Sequence, residues 1–365
     1  MCRSEKFVPD FGNSLAVKVS QLGEPLFQSR MRSRLQIGLT LLFVLFGLSV
    51  QACDLCAIYR ATNAKGESAS GFLLTVSEQF TPYNVLQREG EPYHAIPLYE
   101  EAYLNSSLTH VVPTYNFSEQ FGVSLNVPLI YRSFRRIQLQ AVPPFGLEDE
   151  TGTIFGLGDM SLIGRWTPLR ISEMKYSIVG SLFAGAKFPT GDTDRLDQEL
   201  EQERQGQALF GSGHNHPIGG IHQHDLTLGS GSFDGVFGAA ATLRYDRWFF
   251  AAQGQYYLRT EANDYKFGDE IMISGGPGVY LLLDKKFTLS LQANAVYDTM
   301  AQDEVLGITS TETGWTAWYF GPLINFTWMD HLTANIGVDI PLRIYNHGLQ
   351  SVPDYRIHGG VSWRF

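Results

Sequence analysis

Cysteine is nearly absent: the 365 residues hold three, and only Cys53 and Cys56 would survive removal of an export leader. A fold stapled by several disulfides is therefore excluded. Long apolar runs are scarce too. The longest, Ile37 to Leu48, has 12 residues, short of the roughly 20 that a spanning helix needs. No fixed-period repeat, heptad pattern or long low-complexity tract occurs, which removes solenoids and coiled coils. Positive charge is in deficit. Beyond residue 52 the chain carries 21 Lys and Arg against 34 Asp and Glu, a net of −13, which argues against a nucleic-acid partner. No Gly-x-Ser-x-Gly and no Ser–His–acid set stands out, so an outer-membrane hydrolase of the phospholipase type has little support.

What is present begins at Met31. Met31-Arg-Ser-Arg34 is a basic start, Ile37 to Leu48 is the apolar core and Val50-Gln-Ala52 is a small-residue cleavage site, together a secretory leader. Residues 1–30 then read as a misassigned N-terminal extension, 31–52 as the signal peptide, 53–70 as a periplasmic segment and 71–365 as one β domain. The last eleven residues, Tyr355 to Phe365, alternate. Ile357, Gly359, Val361, Trp363 and Phe365 share one face, with Arg356, His358, Ser362 and Arg364 on the other. Side chains of a strand point alternately to its two faces, so this is a two-faced strand long enough to cross a bilayer at a tilt.

Strand-like runs fall at about 71–80, 104–115, 121–134, 156–167, 176–189, 235–245, 248–260, 271–283, 287–298, 314–328, 332–343 and 355–365. Short and long connections alternate between them. An even strand number with short turns on one side and long loops on the other predicts an all-β, transmembrane, antiparallel up-and-down barrel of about 12 strands in the outer membrane of a Gram-negative bacterium. Both termini would be periplasmic and the long loops extracellular. Pro128, Pro277, Pro322 and Pro341 fall inside these runs and predict bulges or gaps in the ladder. The second run, with Ser107, Thr109 and His110, shows no clear parity.

If the apolar face meets lipid, the other face lines a lumen. Parity points Arg132, Arg165, Lys187, Arg244, Arg259, Arg343, Arg356 and Arg364 inward, against Asp159, Asp298 and Asp339. The expectation is a basic lumen under acidic loops, and rings of Arg and Lys favour anions. Tyr257, Tyr280 and Tyr319 also point inward as surfaces for aromatic stacking.

Three short motifs stand at strand ends: Gly156-Leu-Gly-Asp159, Phe188-Pro-Thr-Gly-Asp192 and His224-Asp-Leu-Thr-Leu-Gly-Ser-Gly-Ser232. In this order the chain resembles the transporters grouped as the MetA-pathway of phenol degradation family. The resemblance implies an outer-membrane barrel for uptake or efflux of small molecules, and it brings no catalytic residues. On the residues themselves, Gly and Asp at these places suit a tight bend where a strand leaves the bilayer.

Two further clusters are conspicuous. His214, His216, His222, His224 and Asp225 lie close together in the long 190–234 connection. Imidazoles at such spacing suit a divalent transition metal, and a solvated loop that binds nothing is the alternative. Cys53 and Cys56 form a Cys-x-x-Cys that reads as a small disulfide, with a metal clip, a redox pair or lipidation of Cys53 as alternatives. The function expected is a channel or transporter for small anionic or aromatic solutes, with no enzyme activity and no resident cofactor beyond that metal. Its partners would be outer-membrane lipid, the solute and the barrel-assembly machinery. A metal-binding receptor or adhesin acting through residues 190–234 is the alternative.

Overall fold

The computed structural model describes residues 70–93, 100–140, 146–173, 175–211, 224–284, 286–329 and 331–365. The N-terminal extension, the leader, Cys53, Cys56, His214, His216 and His222 lie outside these residues.

The wall is built from β1 (Gly71–Tyr83), β2 (Glu100–Asn116), β3 (Phe121–Gln140), β4 (Gly146–Leu157), β5 (Ser161–Ser172), β6 (Tyr176–Lys187), β7 (Asp234–Tyr245), β8 (Trp248–Leu258), β9 (Glu270–Leu283), β10 (Phe287–Met300), β11 (Trp315–Trp328), β12 (Leu332–Asn346) and β13 (Arg356–Arg364). Segments β4 and β5 share one place in it. β3 pairs with β5 up to Asn126↔Ser161 and with β4 from Leu129↔Leu157 onward, so residues 158–160 interrupt a single wall strand. Each strand is antiparallel to its sequence neighbour, and β13 pairs with β1 to close a ring of twelve. Closure removes the sheet edges that an apolar terminal strand would otherwise expose.

The alternation read from the sequence decides which face meets lipid. On β8, Phe250 and Leu258 are exposed while Gln255 and Tyr257 are buried; on β11, Trp318, Phe320, Ile324 and Trp328 are exposed while Tyr319 is buried. Exposed aromatics pair at the periplasmic end, Phe72 with Phe365 at 5.4 Å and Phe121 with Trp166 at 6.4 Å. At the other end Tyr297 lies 4.6 Å from Trp318. Apolar outward and polar inward on every other residue, with aromatics at both rims, is the construction of a barrel in a bilayer. The protein is an outer-membrane β-barrel.

Each proline marks a lapse in the ladder. Pro128 pairs with His110 on one side and faces the 158–160 break on the other, where its carbonyl accepts the Gly158 N–H at 2.9 Å. Pro277 pairs with Phe250, but the register to β10 skips from Gly275 to Gly278. Pro341 adjoins a bulge: Trp318 pairs with Arg343 while the next residue, Tyr319, pairs with Pro341.

Three expectations change. The 135–155 connection is mostly strand, because β3 and β4 extend as a hairpin held by Arg135 and Asp149 at 2.8 Å. The 190–234 connection holds a helix, α1 (Asp194–Phe210), whose Leu196 and Leu200, one turn apart, are buried with Tyr265 and Val305. Finally, β2 does have parity. Leu104, Ser106, Leu108 and His110 are buried inward, so Ser107 and Thr109 face outward, where both hydroxyls donate to the Glu78 carboxylate, Ser107 at 2.5 Å. A carboxylate sits on the lipid-facing side of β1 between Phe72 and Phe80, and the polar outward residues of β2 exist to hold it.

Candidate functional site

The three Gly-rich motifs are far apart in sequence and meet inside the barrel mouth. The break in the wall strand turns Asp159 out of the ladder and towards the centre. Its Oδ1 accepts the Gly191 N–H at 3.0 Å, and its Oδ2 accepts the Ser230 N–H and hydroxyl, each at 2.9 Å. Residues 227–232 therefore fold inward, carrying Leu228 onto Leu108 and Ile130. Glycine is required at this crossing. A Cβ on Gly229 would stand 2.6 Å from the Gly191 carbonyl oxygen and 2.8 Å from Asp159 Oδ1.

Lys187 ties the knot to the wall. Its Nζ is 2.6 Å from Asp159 Oδ2 and 2.8 Å from Asp234 Oδ2, and all three side chains are buried. Asp234 also meets Arg259 at 3.1 Å, and Arg259 meets Glu270 at 3.5 Å. Across the lumen Arg356 donates to Asp298 at 2.8 Å and to the Tyr319 hydroxyl at 3.0 Å, with its guanidinium 4.0 Å from the Tyr319 ring centre.

The eight-to-three surplus of inward cations expected from parity is thereby reduced. Asp234, at the end of the 190–234 connection, and Glu270, just before the run at 271–283, belong to the wall network. Arg343 points out instead of in, because the bulge beside Pro341 shifts parity and pairs it with the exposed Trp318. Arg165 and Arg244 do face inward, but towards the periplasmic end, where Arg165 donates to Asn116 Oδ1 at 2.7 Å and Arg244 reaches Ser177 at 3.3 Å.

Above the wall network lies a cavity of about 250 Å³. Its lining mixes apolar side chains, Leu86, Leu104, Phe267, Trp315, Ile344 and Val352, with Arg132, Arg136, Asp159, Lys187, Arg259, Glu270 and Arg356. Arg132 also holds the inward loop, donating to the carbonyls of Asp225, at 2.5 Å, and Thr227, at 2.7 Å. Sequence reasoning missed Arg136, although it continues the parity of Arg132 and Phe134.

Below the cavity the wall side chains close into a ring. In the ladders Gln79 faces His358, Arg356 faces Asp339, Asp298 faces Met272 and Met272 faces Gln255. Tyr257 faces Val236, Lys187 faces Ser161 and Ser161 faces Asn126. Asn126 Oδ1 meets His110 Nδ1 at 2.5 Å, and His110 faces Ser77, one pleat from Gln79. Every member is at most 5% exposed, so the ring is a constriction and not an open bore.

Of the histidine cluster, the described members are His224 and Asp225. His224 Nδ1 lies 2.9 Å from Glu199 Oε1 on α1, and its Nε2 lies 3.4 Å from Asp225 Oδ1. Among the described residues no three metal-ligating side chains converge. The neighbouring loop acid Asp303 is buried, accepting from Tyr265 and from the Gly268 N–H, each at 2.7 Å. Burial raises its pKa above the ordinary carboxylate range, and the nearby His224 partly offsets this.

No family model and no curated protein sequence matches the chain. Among solved structures it is similar to the COG4313 outer membrane channel from Pseudomonas putida F1, with a TM-score of 0.52 and 12% identity over 82% of this chain and 98% of that one. It also aligns with the Pseudomonas putida toluene transporter TodX at a TM-score of 0.35 and 10% identity, covering 87% of this chain and 95% of that one. The first of these likenesses places the fold among outer-membrane β-barrels.

Proposed function

We propose that the protein is an outer-membrane channel for small amphiphilic solutes, which enter the barrel through this cavity. The observation that carries this is the cavity itself: apolar side chains and charged or hydrogen-bonding groups line one space, above a constriction in the same barrel. Sites that take small organic molecules combine an apolar lining with a few convergent polar groups. Trp315 and Phe267 offer flat surfaces for an aromatic ring, while Arg132 and Arg136 line the same space. The resemblance of the three Gly-rich motifs to a transporter family supports the same reading, and two of those motifs bring Asp159, His224, Asp225 and Ser230 to the cavity lining.

The solute class leans towards aromatic over simply anionic. Lys187, Arg259 and Arg356 each face a buried acid, so the wall holds less unbalanced positive charge than parity implied. The test is uptake into proteoliposomes of refolded protein. Phenyl glucoside, uncharged and too polar to leak through lipid, is expected to enter, and Trp315→Ala with Phe267→Ala is expected to slow entry several-fold. A barrel that admits no solute and shows no unit conductance in planar bilayers would overturn the reading.

A further inference from the structure

The constriction holds polar groups that the fold does not use. Gln79 is 0% and Gln255 3% exposed, yet neither the amide nitrogen nor the amide oxygen of either has a hydrogen-bond partner among the protein atoms. Both lie on inward positions of the wall. Their strands, β1 and β8, are six steps apart in either direction round the ring, so the two amides approach the lumen from opposite sides. Between them on the β2–β3 side, the Asn126 amide nitrogen and His110 Nε2 are likewise without a protein partner. Asn126 Oδ1 accepts a hydrogen bond from His110 Nδ1–H, which leaves Nε2 of the neutral ring as an acceptor.

Burying a polar group without a hydrogen bond costs on the order of 1–3 kcal/mol. Gln79, Gln255, Asn126 and His110, with the Ser77 and Ser161 hydroxyls beside them, repeat that cost round one ring, which stability does not explain. The ring's lysine and arginine, by contrast, are turned on acids: Lys187 on Asp159 and Asp234, and Arg356 on Asp298, while His358 Nε2 lies 3.5 Å from Asp339.

We propose that this ring is a solute-binding selectivity filter, in which Gln79 and Gln255, with Asn126 and His110, bind uncharged hydroxyl or amide groups of a solute that has shed its water. The proposal rests on the channel reading and names its solute class. A hydroxyl loses one or two hydrogen bonds to water and finds amide partners of both kinds in the ring. An ion loses far more, because an isolated charge in a poorly hydrated site is strongly disfavoured, and the ring's cations already face acids of the wall. The filter therefore passes neutral hydrogen-bonding solutes and holds back ions, including anions of the same shape.

The experiment compares phenyl glucoside with phenyl glucuronide, which differ by one carboxylate, in proteoliposomes of the full barrel. Wild type is expected to take up the glucoside at least tenfold faster. Gln79→Leu and Gln255→Leu are each expected to cut glucoside entry about tenfold, the scale of one lost buried hydrogen bond. Gln79→Asn, which keeps an amide, is expected to recover part of that loss, and folding of every variant is checked by heat-modifiable gel mobility. If the glucuronide enters as fast as the glucoside, or if folded Leu variants transport like wild type, the filter is wrong while the channel stands. If neither solute enters with wild type, the channel reading falls and the filter with it.

Discussion

Lys187 Nζ lies between two carboxylates, 2.6 Å from Asp159 and 2.8 Å from Asp234, and so joins the break in one wall strand to the first residue of another. Removing one partner of a buried ion pair leaves uncompensated charge, which costs about 3–5 kcal/mol. Lys187→Met is therefore expected to lower the temperature at which the folded, fast-migrating band converts on gels. Adding Asp159→Asn should restore part of it, and an unchanged transition in the single variant would show that the knot does not bear on stability.

Arg356 is the ring's counter-charge to Asp298, with Asp339 opposite it in the ladder. Arg356→Met leaves both acids in the constriction and removes the guanidinium from the Tyr319 face. Unit conductance is expected to rise several-fold and to become cation-preferring, because rings of carboxylates select cations. The reversal potential in a salt gradient reads this directly.

Asp303 gives a pH dependence with a definite sign. Burial raises its folded-state pKa above the unfolded value, so its contribution is fully present below the unfolded pKa and is lost as pH rises through the folded one. The clasp with Tyr265 and the Gly268 N–H should loosen as pH increases. Protection of the Gly268 amide from hydrogen exchange, corrected for intrinsic rate, is expected to fall as pH rises above the ordinary carboxylate range. In Asp303→Asn that trend should vanish; its persistence would assign it to the neighbouring His224 and Glu199 pair instead.

Glu78 faces lipid, held by the Ser107 and Thr109 hydroxyls. Charged groups on the lipid face of a barrel destabilise it, carboxylates less than Arg or Lys. Glu78→Leu should thus raise the gel transition temperature in a thick bilayer by more than in a thin one. A drop in both would mean that the two hydroxyls depend on the carboxylate more than the carboxylate burdens the wall.

Most of the wall was legible because a barrel writes itself as alternation, and alternation in β8, β10 and β11 is nearly unbroken. The losses have physical causes. Parity fails silently across a bulge, which is why Arg343 was assigned inward. It also fails when an outward polar residue serves another outward polar residue, as Ser107 and Thr109 serve Glu78. Asp234 and Glu270 begin their strands, just outside the runs read from the sequence, and their pairing with Lys187 and Arg259 is a contact between strands that no local pattern encodes. The Gly-rich motifs were recognisable one by one. That they converge on Asp159 became visible only with the 158–160 break, which single-sequence reading had placed at a strand start.

Every wall strand meets its sequence neighbour across a turn or loop except at one seam, where β1 pairs with β13 and Thr75 meets the Ser362 hydroxyl at 2.9 Å across 287 positions of sequence. Contacts near in sequence form early, whereas closing a long loop carries its entropy before any contact repays it. The sheet can thus zip from hairpin to hairpin in any order, but it has two bare edges until its last nine-residue strand arrives. Closure therefore waits for β13, whatever the order in which the hairpins form. Until that strand pairs, both edges can template pairing with other chains, and closure removes the two together.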